Sequence, residues 1–217
     1  MVLNLHAFPR SSCTRRVQLA LAEKRVSANF ITVDLWKGEQ KTPAYLDSLH
    51  PFGKVPVLED TDTGVKIFES RAIAQYIATK YRGQGTELAP SETDLKRYAL
   101  YQQAASIEQF YFDPLVSGIA YEKVFKARKG HGETDEARVR FLLSQLELTL
   151  EGYERLLSRQ KYLAGDQVTL ADLSHLPYGV FVEQYGFAEL IPKYPHFQKW
   201  WEGLKARESW KKVTRLP

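Results

Sequence analysis

Apolar and polar positions are patterned differently in the two parts of this chain. In residues 1–82, short β-rich apolar runs at 2–6 and 29–33 flank residues 13–24, where Val17, Leu19, Ala20 and Leu21 follow a helical spacing. Strand, crossover helix and strand make a βαβ unit, which predicts parallel strands. A loop containing Lys37-Gly38 and Pro43 leads to a weaker helical stretch at 45–48. Apolar runs at 55–58 and 65–68 follow, separated by Asp60-Thr61-Asp62-Thr63-Gly64, whose composition is that of a hairpin connection. Glu69-Ser70 then open a helix that runs to residue 81. The predicted order is βαβαββα.

Beyond this point no convincing strand pattern appears. Arg82-Gly83-Gln84-Gly85-Thr86 is polar and glycine-rich, and Pro90 follows, so residues 83–90 are read as a linker. Residues 92–128, 134–158, 169–185 and 195–206 all carry helical patterns. This segregation predicts an α/β domain over 1–82 and an all-α domain over 91–217. Neither internal repeats nor low-complexity tracts are present.

Composition narrows the function classes. The 217 residues carry a formal net charge of +4, with Lys and Arg interleaved among Asp and Glu. Clusters such as Lys126-Ala127-Arg128-Lys129 and Trp210-Lys211-Lys212 read as solvated faces rather than a nucleic-acid site. The mild excess of positive charge suits an anionic small substrate. One cysteine, Cys13, rules out an intrachain disulfide, and the five histidines are scattered without metal-ligand spacing, so no metal is expected. No apolar stretch approaches the length of a membrane span, and the N-terminus lacks the pattern of a signal peptide. A cytoplasmic protein with no membrane and no nucleic-acid partner is expected.

Three segments carry candidate chemistry. Pro9-Arg10-Ser11-Ser12-Cys13-Thr14-Arg15-Arg16-Val17 spans the loop after the first strand and the start of the first helix. Ligands of open α/β sheets bind beyond the carboxyl ends of the strands. A helix N-terminus there adds free N–H groups and partial positive charge. A hydroxyl or thiol at that place faces a setting that favours anions, although Ser11 or Ser12 also serves as a plain helix cap. In Leu49-His50-Pro51-Phe52-Gly53-Lys54-Val55-Pro56-Val57-Leu58, two prolines bracket a glycine turn that enters a strand. Pro56 suits a strand start, where no ladder donor is needed, and its peptide bond is a candidate for the cis form. In Phe68-Glu69-Ser70-Arg71-Ala72-Ile73 a strand ends in an acid and a serine. The pair reads either as a helix start signal or as a carboxylate and hydroxyl that hold a zwitterion.

These segments, joined by Tyr162-Leu163-Ala164-Gly165-Asp166-Gln167-Val168-Thr169-Leu170-Ala171-Asp172-Leu173, occur in the order found in glutathione transferases and cover nearly the whole chain. The sequence resembles that family, and most of all its phi class. The resemblance implies a thioredoxin-like N-terminal domain, a helical C-terminal domain, and glutathione as co-substrate. It implies conjugation of glutathione to hydrophobic electrophiles, with reduction of organic hydroperoxides as a further activity. Carriage of hydrophobic ligands without turnover, or thiol transfer through Cys13, are the alternative readings.

Residue by residue, the resemblance gives Ser11 the catalytic role, donating a hydrogen bond to the glutathione sulfur. A free thiol ionises near 8.5, so activation at pH 7 needs a shift of about 2 units, or about 3 kcal/mol. One hydrogen bond to a charged acceptor supplies about 1.5–3 kcal/mol, and the helix terminus about 0.3–1 kcal/mol more. No general base is therefore required. Val55, before the turn at Pro56, pairs its backbone with the cysteinyl part of glutathione. Glu69 and Ser70 hold the γ-glutamyl end, while Lys41 and Lys54 meet the glycyl carboxylate. Gln40 stands where many relatives carry histidine; it still hydrogen-bonds but brings no charge. Phe8, Ser12, Trp36, Phe112, Leu115, Ile119 and Tyr178 are expected to line the hydrophobic substrate site. Phe52 resembles an aromatic key that inserts into a partner subunit, implying a homodimer. Thr169 and Asp172 form a capping-box pattern that serves folding.

Overall fold

The computed structural model describes residues 2–215. In β1 (Leu3–Ala7) burial alternates, with Leu3, Leu5 and Ala7 inside and Asn4 and His6 half-buried. Strand β2 (Asn29–Thr32) runs parallel to β1, pairing Asn4 with Asn29, as the crossover requires. Strand β3 (Val57–Asp60) is antiparallel to β1, with Leu5 opposite Leu58, and β4 (Val65–Phe68) is antiparallel to β3. The sheet order is β2-β1-β3-β4. Helices α1 (Ser12–Lys24), α2 (Pro43–Ser48) and α3 (Ser70–Lys80) complete the expected βαβαββα order, and α1 packs on α3. The third strand starts two residues later than the apolar run at 55–58. Pro56 has no N–H for the ladder, and Val55 remains outside it.

The chain divides into two units, and the second, Pro90–Ala206, is helical. This α/β plus all-α architecture is the predicted one. The first unit runs to Ala89 and also takes in residues 207–215, which the sequence placed in the helical domain. Helix α12 (Glu208–Thr214) packs on α1. The anchor is Glu23, only 6% exposed, which accepts hydrogen bonds from Arg207 Nε (2.6 Å) and Nη2 (2.8 Å), Ser209 Oγ and Thr86 Oγ1. Burial alone raises the pKa of this carboxyl, but these donors hold it below its ordinary value.

Residues 83–89 are not a loose linker either. Thr86 N–H donates to the Glu23 carbonyl at 3.0 Å, and Leu88 is fully buried. Gly85, at φ +61°, lies so close that a Cβ would sit 2.2 Å from the Glu23 carbonyl oxygen.

In the helical unit the predicted stretch 92–128 becomes α4 (Leu95–Ile107), α5 (Asp113–Ala120) and α6 (Lys126–Arg128). Two π-helical segments, Glu108–Phe112 and Tyr121–Phe125, join them. Helix α7 is Glu136–Leu157. The stretch 169–185 is broken into α8 (Leu170–Leu173), α9 (Leu176–Val182) and a 3₁₀ turn. Helices α10 (Phe187–Leu190) and α11 (Pro195–Lys205) follow.

The core of this unit is aromatic: Phe112 contacts the rings of Tyr153, His175, Phe187 and Trp201. Two expectations are corrected here. Phe112 and Ile119 have no exposed surface and belong to this core, not to the lining of a substrate site. The capping box is formed. Asp172 Oδ2 accepts from Thr169 N–H (2.8 Å) and hydroxyl (3.0 Å), and Oδ1 from Leu163 N–H (2.9 Å) and Trp200 Nε1 (3.0 Å). A fully buried carboxylate with four donors is a folding element.

Among the described residues, no helix is long and apolar enough to cross a membrane.

Candidate functional site

The first unit brings together most of the residues singled out for glutathione. Ser11 is the N-cap of α1. Its backbone is extended (φ −75°, ψ 127°), and its Oγ accepts from Thr14 N–H at 3.3 Å. The hydroxyl hydrogen meets no acceptor among the described residues, so Ser11 caps the helix and keeps a donor to spare. Ser12 and Cys13 are the first two helical residues, both half-buried. The Cys13 sulfur lies 3.9 Å from Arg16 Nη1, inside the first turn rather than at the cap. Arg10, Arg15 and Arg16 add positive charge to this terminus. Burial and the nearby Arg10 lower the Arg15 pKa from its ordinary high value.

A second helix start faces the same region through one bond. Arg16, 3% exposed, donates from Nη1 to Ser70 Oγ at 2.9 Å, and Ser70 is the first residue of α3. Its predecessor Glu69 adopts φ +70°, a region costly for a side chain-bearing residue, at roughly 1–3 kcal/mol. The exposed Glu69 carboxylate makes no hydrogen bond or ion pair among the described residues.

The turn at 50–56 supplies the third element. The Val55–Pro56 peptide bond is cis. Tyr45 OH donates to the Lys54 carbonyl at 2.8 Å and fixes the turn from below; burial pushes this phenol up to about 12, so it remains a donor at neutral pH. The N–H and C=O of Val55 make no hydrogen bond among the described residues. They form a short piece of open strand edge, free to pair with an extended peptide. His50, 2% exposed, lies 4.5 Å from the Phe68 ring, and its Nδ1 accepts from Phe52 N–H at 3.3 Å. Burial lowers its pKa; Glu69 opposes this, and Lys54 and Lys41 reinforce it. Lys41, Lys54 and Glu69 thus all act electrostatically on one buried imidazole.

Lys41 Nζ donates to the Phe52 carbonyl at 3.1 Å, and Lys54 has no hydrogen-bond or ion-pair partner among the described residues. Two ammonium groups without a carboxylate partner favour an anion. Gln40 sits beside them in the 3₁₀ turn Glu39–Lys41, and its backbone carbonyl packs against Gly53 (φ +59°), where a Cβ would lie 2.6 Å away. The Gln40 amide oxygen is buried and meets no donor. Such a group ordinarily costs about 1–3 kcal/mol.

Of the residues expected to meet a second substrate, Phe8 and Trp36 stack edge to face at 5.8 Å in the first unit, with Trp36 65% exposed. Leu115 and Tyr178 are half-buried on α5 and α9. Phe52 projects from its turn, 66% exposed, with its ring edge-on to those of His50 and Phe68. The Arg16–Ser70 bond was not foreseen. Arg16 fits the helical pattern as an ordinary polar residue, and nothing in its spacing shows that it is buried.

Comparison with known proteins gives this geometry its setting. The model of the glutathione S-transferase N-terminal domain matches residues 1–79, and that of the C-terminal domain residues 105–208. A glutathione S-transferase of Arabidopsis thaliana, PM239X14, is 49% identical over 201 residues, covering 93% of this chain and 90% of that one. Glutathione S-transferase hmp2 of Hypomyces subiculosus is 41% identical, covering 99% and 98%. The crystal structure of glutathione transferase F7 from Populus trichocarpa superposes with a TM-score of 0.91 at 37% identity, covering 98% of each chain. With both halves matched and identity this high across the full length, the chain belongs to the glutathione S-transferase family, in its phi class.

Proposed function

We propose that this glutathione transferase activates the glutathione thiol with Ser11 and transfers the thiolate to hydrophobic electrophiles. The observation that carries the reading is Ser11 itself, a hydroxyl with an unused hydrogen at the N-terminus of α1. Its hydrogen bond and the helix terminus stabilise the thiolate over the thiol, and the proton leaves to solvent. The thiolate then attacks an electrophilic carbon; with an aryl halide, a C–S bond forms and halide departs. With an organic hydroperoxide, the thiolate attacks the terminal oxygen, the O–O bond breaks, and the alkoxide takes a proton to become an alcohol. A second glutathione then displaces water from the resulting sulfenic acid to give the disulfide.

The rest of the co-substrate follows the free valences of the first unit. Val55 N–H and C=O pair with the cysteinyl backbone next to Pro56. The N–H groups at the start of α3 and the Ser70 hydroxyl bind the γ-glutamyl carboxylate, and Glu69 binds the ammonium. Lys41, Lys54 and Gln40 take the glycyl end. Phe8, Ser12 and Trp36 offer surface to the electrophile. Phe52 serves as the contact of a homodimer, and the protein acts in the cytoplasm without a metal.

The test is conjugation of a generic aryl halide, and turnover of a hydroperoxide, by the wild type and Ser11→Ala. A fall in both activities in the variant is expected. Equal activity in the two proteins removes Ser11 from this role.

A further inference from the structure

We propose a second ligand site on the first unit: a groove between α1, β2 and α12 that binds a long-chain aliphatic carboxylate, with the tail in the groove and the head on Lys212 and Arg25. It goes beyond the glutathione reading, since none of the residues assigned above to glutathione or the electrophile lines it. The fold leaves this place open. Strand β2 is the edge of the sheet, and α12 packs on α1. Between the three elements remains a cavity of about 510 Å³, a size that suits a small molecule. Leu5 and Phe30, opposite each other in the β1–β2 pairing, form its sheet side. Leu21 of α1, Val26 of the following turn and Val213 of α12 complete the apolar lining. Lys212 is the only charged residue among the described residues that line it.

The charges at one border of the groove select an anion. Ala22 and Lys212 also line a second cavity, of about 430 Å³, together with Arg25 and Arg207, so the two cavities adjoin. Arg207 is held there by Glu23 at 2.6 Å, and the Glu208 carboxylate by Lys211 at 2.7 Å. The side chains of Arg25 and Lys212 make no hydrogen bond or ion pair among the described residues. Both are donors only, so they answer an acceptor and best an ionised one. An aliphatic carboxylate meets both features at once: its methylenes cover the apolar lining, and its head meets two cations that lack an acid partner. A cationic amphiphile would meet like charge at the same border. An alcohol of equal length would fill the groove and leave the cations unanswered.

The experiment is titration calorimetry of the full chain with decanoate, octanoate and 1-decanol at neutral pH. One decanoate should bind per chain, and octanoate roughly tenfold more weakly, as two fewer buried methylenes require. The double variant Arg25→Gly, Lys212→Gln should bind decanoate about fivefold more weakly and 1-decanol within about twofold of the wild type. Glycine is suited to position 25, where φ is +55° at the end of α1, so the helix keeps its cap. The control Lys96→Gln, Lys199→Gln removes the same charge from two exposed positions of the helical unit and should leave both ligands unaffected. Ala22→Leu narrows the border of the two cavities and should weaken decanoate and 1-decanol alike. Ser11→Ala should bind decanoate as the wild type does, which keeps failure here distinct from failure of the glutathione reading. Absence of decanoate binding, an equal loss in the two double variants, undiminished binding by Ala22→Leu, or loss of binding in Ser11→Ala overturns the proposal.

Discussion

Arg16 Nη1 donates to Ser70 Oγ at 2.9 Å, a buried bond that joins the first turn of α1 to the first residue of α3. In the proposed mechanism these two helix starts serve two parts of glutathione: the cysteinyl sulfur at Ser11 and the γ-glutamyl carboxylate at Ser70. Arg16→Lys replaces a planar fork by a point charge that does not reproduce this geometry. Loss of the charge-assisted bond should cost about 1.5–3 kcal/mol of stability. The KM for glutathione should rise at least fivefold, with kcat changed much less. Thermal unfolding and steady-state kinetics measure the two effects separately. A stability loss with unchanged KM would make the bond purely structural.

Ser11 and Ser12 are adjacent, yet only Ser11 caps the helix. Ser11→Ala should therefore lower stability by about 1 kcal/mol. It should also lower kcat/KM by roughly 10- to 150-fold, the range of one hydrogen bond to a charged acceptor. The bound thiol, followed by thiolate ultraviolet absorbance, should titrate closer to 8.5. Ser12→Ala should leave stability within about 0.5 kcal/mol. Should Ser12→Ala be the variant that raises the thiol pKa, the sulfur ligand is Ser12.

Glu69 offers a separation of another kind. Its φ of +70° suits glycine. Glu69→Gly should relieve strain of about 1–3 kcal/mol, less about 0.5–1 kcal/mol for the added freedom of the unfolded chain. A net gain of about 1 kcal/mol is expected in urea unfolding. The same change removes the partner proposed for the glutathione ammonium, so KM should rise tenfold or more. A variant that is both less stable and unaltered in KM would contradict both halves of the argument.

The elements of the first unit were legible because each announces itself locally. Short β-rich apolar runs mark the strands, Ser11 and Glu69-Ser70 the helix starts, and the polar stretch ending in Gly64 the hairpin. Thr169 and Asp172 were equally local, three residues apart. What escaped is what depends on distant partners. Glu23 and Arg207 lie 184 residues apart, and neither is unusual in its own window. Their pairing is what returns α12 to the first unit. Gly85 looked like linker composition, whereas its role is a close backbone approach. Phe112 fell to the core because helical spacing alone does not distinguish the face that lines a pocket from the face that fills an interior. In the site, residue identities were readable from the family pattern. The orphaned Gln40 oxygen was not, since satisfaction of a hydrogen bond is a property of the fold.

The buried imidazole of His175 makes stability depend on pH. Tyr153 OH donates to its Nε2 at 2.8 Å, and its Nδ1 faces the Ala171 carbonyl at 2.8 Å, so both nitrogens are occupied in the neutral form. Burial lowers its pKa below 6.5, although Glu108 and Asp172 pull the other way. The unfolded chain therefore takes up a proton near pH 6.5 that the folded protein refuses. Stability is fully present above that pH and declines as pH falls below it, by up to about 1.4 kcal/mol per unit, until the folded pKa is reached. His50, lowered by burial in the same way, adds to the decline. Urea unfolding at several values between pH 7.5 and 5 should show a plateau and then a fall. His175→Gln should be less stable at pH 7.5 and show a shallower fall, the remainder belonging to His50. An identical slope in the variant would show that His175 does not carry the effect.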